Sequence, residues 1–417
     1  MFHLYQRFPS SRQLQFDALL QEGLERKSLT SELKPGMRIA VGVGSRGIAS
    51  LPEIVTSVLN CIRASGAEPF IVPAMGSHGG ATPSGQQDVL AEFGITPEST
   101  HARFETSMDV EQIGQFGDGY PVVFSSAALK ADGVVVINRI KPHTDFFGNL
   151  GSGIQKMLAI GFGKHAGASN AHRAAMLIGH ESALRESAKV ILSKVPVLFA
   201  VAILEDQHHQ TYDVRVIRGN EIPEEEDALF AESRKLLPRL PFPAIDVLIV
   251  DEIGKEISGS GMDTNVIGRG VFGYISSLQP QHKMQPHISR IFVRDLTPAT
   301  HGNAIGIGLA DFTTTRLVNA INRDYMYTNV LTSLGLAAAK IPMYFDTDGE
   351  AISHAIHSLA FTATKDLKIV RIKNTLCLDH ILVSERLAAA ADTAVSIEIS
   401  KHPQGLDFDA HGNLLTL

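Results

Sequence analysis

Three short segments of the sequence hold residues that can bind an anion or move a proton. Each follows an apolar run. Gly44-Ser45-Arg46-Gly47 follows Arg38–Val43, and Gly76-Ser77-His78-Gly79-Gly80 follows Pro69–Pro73. Arg139-Ile140-Lys141-Pro142-His143-Thr144-Asp145 follows Gly133–Asn138. Glycine lets a backbone approach a ligand closely and offers its amide to an anion. Arginine grips a carboxylate in a planar fork, and histidine takes or gives a proton near neutral pH. Turn chemistry alone would account for glycines in any one such loop. Three successive loops carrying Arg, His and His favour a site.

The richest stretch runs from Asn138 to Arg173 and holds His143, Lys156, Lys164, His165 and His172. Lys156 lies in the small, apolar sequence SGIQKMLAIG. There it is either a snorkelling surface residue or a desolvated amine suited to covalent chemistry. His172 is open to three readings: metal ligand, general base, or satisfied core histidine. The sequence has no HExxH, no paired CxxC, no EF-hand loop and no Walker A motif. GNAIGIG at Gly302–Gly308 lacks the acidic partner of a dinucleotide fingerprint. His208-His209, flanked by Gln207 and Gln210, reads as a solvated loop.

The elements that must position these residues alternate. Arg38–Val43, Pro69–Pro73 and Gly133–Asn138 read as strands. Leu51–Ala64 carries Ile54, Val55, Val58, Leu59 and Ile62 at helical spacing. Thr82-Pro83 reads as a helix N-cap followed by Pro at the first helical position, with Gly94 as the stop. Alternation of this kind predicts an α/β fold with largely parallel sheets. Glu224-Glu225-Glu226-Asp227 reads as a solvated acidic run, followed by Pro238, Pro241 and Pro243. Beyond them strands are expected at Asp246–Val250, Arg290–Val293, Leu367–Ile372 and Ile381–Ser384, with a helix at Thr315–Ile321. The expectation is two α/β domains, residues 1–240 and 241–417, with the active site in the cleft between them.

The chain has 417 residues, 44% hydrophobic and 19% charged, enough for sizeable cores and unlike a disordered chain. A net charge of −7 argues against a nucleic-acid binder with a broad basic face. Cys61 and Cys377 are the only cysteines, which excludes a disulfide framework and fits a reducing cytoplasm. The longest clean apolar run, Val195 to Leu204, falls far short of the ~20 residues of a membrane span. The start of the chain has no signal-peptide pattern. The expectation is a soluble cytoplasmic protein with no membrane partner.

As a set, Gly76-Ser77-His78-Gly79-Gly80, Lys141-Pro142-His143, Ser152-Gly153-Ile154-Gln155-Lys156 and Asn170-Ala171-His172 resemble the nickel-pincer lactate racemase family. The motifs cover about the first 175 residues, and the two-domain layout extends the likeness more loosely. The resemblance implies an isomerase that inverts the carbon of a 2-hydroxy acid by hydride transfer. It implies a nickel-pincer nucleotide, a pyridinium thioamide thiocarboxylic acid mononucleotide carrying nickel, supplied by cofactor-maturation enzymes. Lys156 matches the covalent lysine, His172 the nickel ligand, and His78 and His143 the general acid and base. Arg46 matches the arginine for the substrate carboxylate, and Ser45 takes the place of a family threonine beside the cofactor. Lys255 and Arg269 are candidates for cofactor contacts. Asp263 and Asn265, with Asp311, are candidates for extra substrate hydroxyls. Where the family has Asp-x-Thr-Arg-Pro, this chain has Val43, Ser45 and Gly47 at the Asp, Thr and Pro places. Lys164 competes with Lys156 as the tether. With no tryptophan in the chain, the expected substrate is larger or more polar than lactate. The alternatives are a metal- or lysine-dependent lyase on this scaffold, or a hydroxy- or sugar-acid binding protein that has lost the cofactor.

Overall fold

Strand β1 (Phe2–Gln6) finds its partners at the far end of the sequence, so the chain is best followed as two compact units. The structure is a computed structural model that describes residues 1–45, 47–144, 148–271, 286–333, 335–359, 366–391 and 396–417, without the side chains of 332 and 333. One unit comprises Ser10–His143 and Gly148–Leu237; the other joins Met1–Pro9 to Pro238–Leu417.

The first unit is built on six strands. They are β2 (Arg38–Val43), β3 (Glu68–Pro73), β4 (Arg103–Phe104), β7 (Gly133–Arg139), β8 (Val197–Glu205) and β9 (Thr211–Arg218). A separate antiparallel hairpin joins β5 (Val110–Phe116) to β6 (Tyr120–Ser125). The sheet order is β4-β3-β2-β7-β8-β9, parallel throughout except that β9 runs antiparallel to β8. Parallel strands need long crossovers, and those crossovers cover both faces with helices. This explains why β2 and β7 are buried almost end to end. The helix Leu51–Ala64 has the bounds its periodicity predicts and buries Ile54, Val55, Val58, Leu59 and Ile62 against Ile39, Val41 and Val43. Thr82 caps the helix Pro83–Glu92 by accepting the Gly85 amide at 3.1 Å, and Gly94 stops it with φ of 76°. The apolar run from Val195 is the inner strand β8.

The acidic run is not a solvated linker. It lies in the helix Ile222–Leu236, where Glu224 and Asp227 are exposed but Glu226 is fully buried. Its carboxylate accepts the Ile154 amide at 2.6 Å and the Gln155 amide at 3.0 Å. A carboxylate can enter a core when backbone donors meet it there.

Among its described residues the second unit carries eight strands. These are β1, β10 (Ala244–Ile253), β11 (His287–Leu296), β12 (Phe312–Thr314), β13 (Met343–Phe345), β14 (Ile369–Ile372), β15 (His380–Val383) and β16 (Ile397–Ile399). Their order is β13-β12-β11-β10-β14-β15-β1-β16. The strands from β13 to β14 are parallel, and β15, β1 and β16 add antiparallel pairs. Both sheets make the fold mixed α/β with largely parallel strands. Among the described residues, no helix is long and apolar enough to cross a membrane.

One contact ties the first sheet to the chemistry-bearing helices. A Cβ at Gly42 on β2 would stand 2.3 Å from the ring of Phe162, which is buried and stacks on Phe124 with centroids 4.8 Å apart. Gly42→Ala should therefore lower the unfolding free energy by about 1–3 kcal/mol through overpacking. Urea denaturation measures this, and an unchanged midpoint would mean that Phe162 yields freely.

Candidate active site

In open parallel sheets, ligands bind beyond the carboxyl ends of the strands. Here the loops after β2, β3 and β7 all close on one helical run. That run begins with Ile154–Lys156, continues through a π-helical turn at Met157–Gly161, and passes into the helix Lys164–Ile178. The contacts are backbone-close because the loops carry glycine. A Cβ at Gly44 would stand 3.3 Å from Met157 Cε; one at Gly76 would stand 3.1 Å from Ile160 Cγ2 and 3.6 Å from Ala168 Cβ. The Gly76 amide donates to the Gly161 carbonyl at 3.3 Å. From β7, Asn138 Nδ2 donates to the Gly153 carbonyl at 2.7 Å. Lys141 and Ser152 exchange two backbone hydrogen bonds of 2.9 Å, which closes the loop holding His143.

This packing brings two groups of side chains to the run. Ser45 Oγ and His78 Nδ1 are 2.9 Å apart, linking the loops after β2 and β3. On the helices, His172 meets His180 edge to face, with ring centroids 6.2 Å apart. Burial, then the neighbouring His172 and Lys156, push the His180 imidazole down to about 4. An amine and an exposed imidazole thus approach the same half-buried ring, which is held neutral. Glu226 accepts the first two amides of the run from below, and burial pushes its carboxyl up to about 7 against the pull of those amides. Chemically, the arrangement offers a half-buried amine, an exposed imidazole beside a second one, and a histidine oriented by a serine hydroxyl.

Residues 8–185 match the family model described as lactate racemase N-terminal domain. Over these residues the chain resembles that domain. The whole chain is also similar to the lactate racemase apoprotein from Thermoanaerobacterium thermosaccharolyticum. That likeness covers 89% of this chain and 94% of the other, with a TM-score of 0.56 and 16% identity, and at that identity it is one of fold. A protein from Thermotoga maritima matches over 79% of this chain and 83% of its own, with a TM-score of 0.49 and 14% identity. No curated protein matches the sequence.

The matched region contains Ser45, His78, His143, Lys156 and His172. Arg46 lies outside the described residues. The remaining sequence candidates belong to the second unit. Lys255 is exposed, and its backbone amide donates to Thr300 Oγ1 at 3.3 Å. Asp263 caps the helix Thr264–Ile267 and accepts the backbone and side-chain nitrogens of Asn265 at 2.8 and 3.0 Å. Arg269 donates to the Leu309 carbonyl at 2.6 Å and to Asp311 at 2.7 Å, tying together segments of its own unit. Among the described residues, no group of three or more His, Cys, Asp or Glu side chains is placed to hold a metal ion.

Two residues near the site, His180 and Glu226, escape the sequence reading, and a third, Lys164, is found in a different setting. His180 follows Gly179, beyond the segment whose composition stands out; its spacing from His172, across a helix break, was the available signal. Glu226 is hidden among acidic neighbours. Lys164 does stand out, but as a rival tether. In the structure its side chain is 1% exposed, and Nζ donates to the Pro73 carbonyl at 2.6 Å and to Gln86 Oε1 at 3.1 Å.

Burial lowers the Lys164 ammonium from 10.5 to about 8. Between those values the unfolded chain holds a proton that the folded chain has released, so wild-type stability gains as pH rises through that window. Lys164→Met removes this gain. The stability difference between wild type and variant should shift in favour of wild type by at most about 3 kcal/mol from neutral pH to the top of the window. Urea titrations at a series of pH values track it, and a constant difference would show that the ammonium is not buried as described.

Proposed function

We propose that this chain is an isomerase, a racemase or epimerase that inverts the hydroxyl-bearing carbon of a 2-hydroxy acid by hydride transfer. The observation that carries the reading is the convergence of the Ser45–His78 pair and the Lys156–His172–His180 cluster on one helical run inside the matched region. Taking a proton from the carbon beside a carboxylate is very unfavourable, because the carboxylate is already charged. Loss of hydride avoids that carbanion, provided the hydroxyl proton leaves as well. The two enantiomers present their hydroxyls to opposite sides, so two proton-exchanging groups are needed. His78 and His143, on the loops after β3 and β7, fill those roles. Ser45 Oγ, 2.9 Å from His78 Nδ1, supports this reading by orienting the ring. Arg46 grips the substrate carboxylate, an assignment that rests on the family resemblance.

The donor set fits the family's cofactor. A metal held by one imidazole needs its remaining donors from a bound group, and a half-buried amine nearby can tether that group. Lys156 would carry the nickel-pincer nucleotide, His172 would ligate its nickel, and Ser45, Lys255 and Arg269 would contact the nucleotide. When bound, the nucleotide supplies the hydride acceptor. Loading implies a meeting with cofactor-maturation enzymes, in the cytoplasm. The absence of tryptophan and the polar stretch 258–265, with Asp263 and Asn265, favour a substrate with further hydroxyls over lactate.

Two measurements test this reading. In protein matured with the cofactor-building enzymes, peptide mapping should find the adduct on the Lys156 peptide, and Lys156→Ala should abolish it; an adduct on the Lys164 peptide would overturn the assignment. A panel of 2-hydroxy acids turned over in D₂O and monitored by NMR should show the inverted carbon keeping its own hydrogen. Rapid deuterium incorporation there would indicate proton abstraction and defeat the hydride reading.

A further inference from the structure

We propose that Lys164 and Gln86 form a buried brace that fixes the position of His78, which makes Lys164 a positioning residue and not a point of cofactor attachment. The role of His78 in this inference rests on the function proposed above; the brace itself rests on geometry.

The loop 74–80 leaves the sheet at Pro73 and must carry His78 to a defined place. Within it, the Met75 and His78 carbonyls accept the His78 and Ala81 amides at 3.2 and 3.3 Å. Gln86 lies on the next helix, is 0% exposed, and faces this loop with its amide. Its Nε2 donates to the Gly76 carbonyl at 2.9 Å and to the His78 carbonyl at 3.4 Å. The other end of the same amide, Oε1, accepts from Lys164 Nζ, which also donates to the Pro73 carbonyl. Two hydrogen bonds in series therefore join the Lys164 ammonium to the backbone of His78. The same ammonium anchors the last residue of β3.

Lys164 is an expensive residue for this place. Its ammonium meets two neutral acceptors in a buried setting, where burial of a charge is costly. Its backbone stands at φ of 55°, in the left-handed region that non-glycine residues rarely adopt. A methionine or leucine would fill the volume without the charge, and a glycine would relieve the backbone. Neither could hold the Pro73 carbonyl and the Gln86 amide together. Strain of this kind gathers where surrounding structure must hold a functional group. Proton transfer needs that holding, because a general base must stand within hydrogen-bond reach of its proton.

The test uses matured protein carrying Lys164→Met, Gln86→Leu or Gln86→Glu. The last variant keeps an acceptor for Lys164 but loses the donor to the Gly76 and His78 carbonyls, so it separates the two halves of the brace. All three should keep the full adduct on Lys156 by intact mass and peptide mapping. Their kcat should fall about tenfold to a hundredfold, the loss expected from displacing a reacting group by about 1 Å. KM should stay within about twofold, because substrate binding is not the part removed. In protein without cofactor, the NMR titration of the His78 ring should move from its wild-type midpoint. A purely structural role would lower the melting temperature and leave that midpoint in place. Loss of the adduct in Lys164→Met, or unchanged kcat with an unmoved midpoint, overturns the brace. If wild type takes no adduct and racemises nothing, the proposed function fails while the His78 titration still decides the brace. If Lys164→Met does not fold, Gln86→Glu carries the test.

Discussion

Close approach of backbone to backbone governs the first unit. The ends of β2 and β3 come so near to the helical run 154–178 that a Cβ would clash at Gly42 and Gly161 and be crowded at Gly44 and Gly76. A Cβ at Gly161 would stand 2.7 Å from the Ala74 carbonyl oxygen. Interiors are packed at crystal-like density, so such a seam holds its elements at fixed separation. The loops that carry Ser45 and His78 leave the sheet at this seam. The helices that carry Lys156 and His172 form its other side. Two groups of chemistry-bearing residues, drawn from segments far apart in sequence, thereby become neighbours without any direct contact having to create the arrangement.

Two buried ionisable groups, Glu226 and Lys164, lie along the same seam, and each answers a backbone need. Glu226 receives the first amides of the run, which have no intrahelical partners of their own. It also sits against Gly153, where a side chain on the run would strike the carboxylate. Lys164 donates to the Pro73 carbonyl at the end of β3. Glu226 and Lys164 are shifted toward neutrality by burial, in opposite directions, as desolvation requires. Both hydrogen-bond to polar groups rather than to an opposite charge, so the network is more a scaffold of backbone anchors than a set of ion pairs.

Much of this was legible in the sequence because its signals are local. The helix Leu51–Ala64 shows its face by period, Thr82-Pro83 shows a cap, and apolar runs ending in glycine show strands that deliver loops to a site. The parallel sheet follows from alternation. The illegible parts depend on pairing across the chain. Nothing near Phe2–Gln6 tells that it lies between β15 and β16, since edge pairing is decided by distant strands. Composition makes Glu224–Asp227 look solvated, yet helical geometry turns one of four neighbouring acids inward. His180 stands alone in sequence and gains meaning only when two helices bring its ring to His172.

Lys156 and Lys164 show how the same residue type, in one short stretch, comes to different ends. In an unbroken α-helix, residues eight apart point within about 80° of each other, and the two ammonium groups would share a face. The run is broken in two places. Met157–Gly161 form a π-helical turn, closed by the Phe162 amide on the Met157 carbonyl at 2.9 Å; such a turn adds a residue and rotates the remainder of the helix. Lys164 then enters the next helix through a left-handed conformation. Lys156 is left half-buried, close enough to His180 to lower that ring's affinity for a proton. Lys164 is sent behind β3, where its nitrogen is bound to a carbonyl and an amide oxygen and sealed from solvent. An amine must be reachable to be modified and must be enclosed to brace a loop, and the π turn lets one helical run provide both.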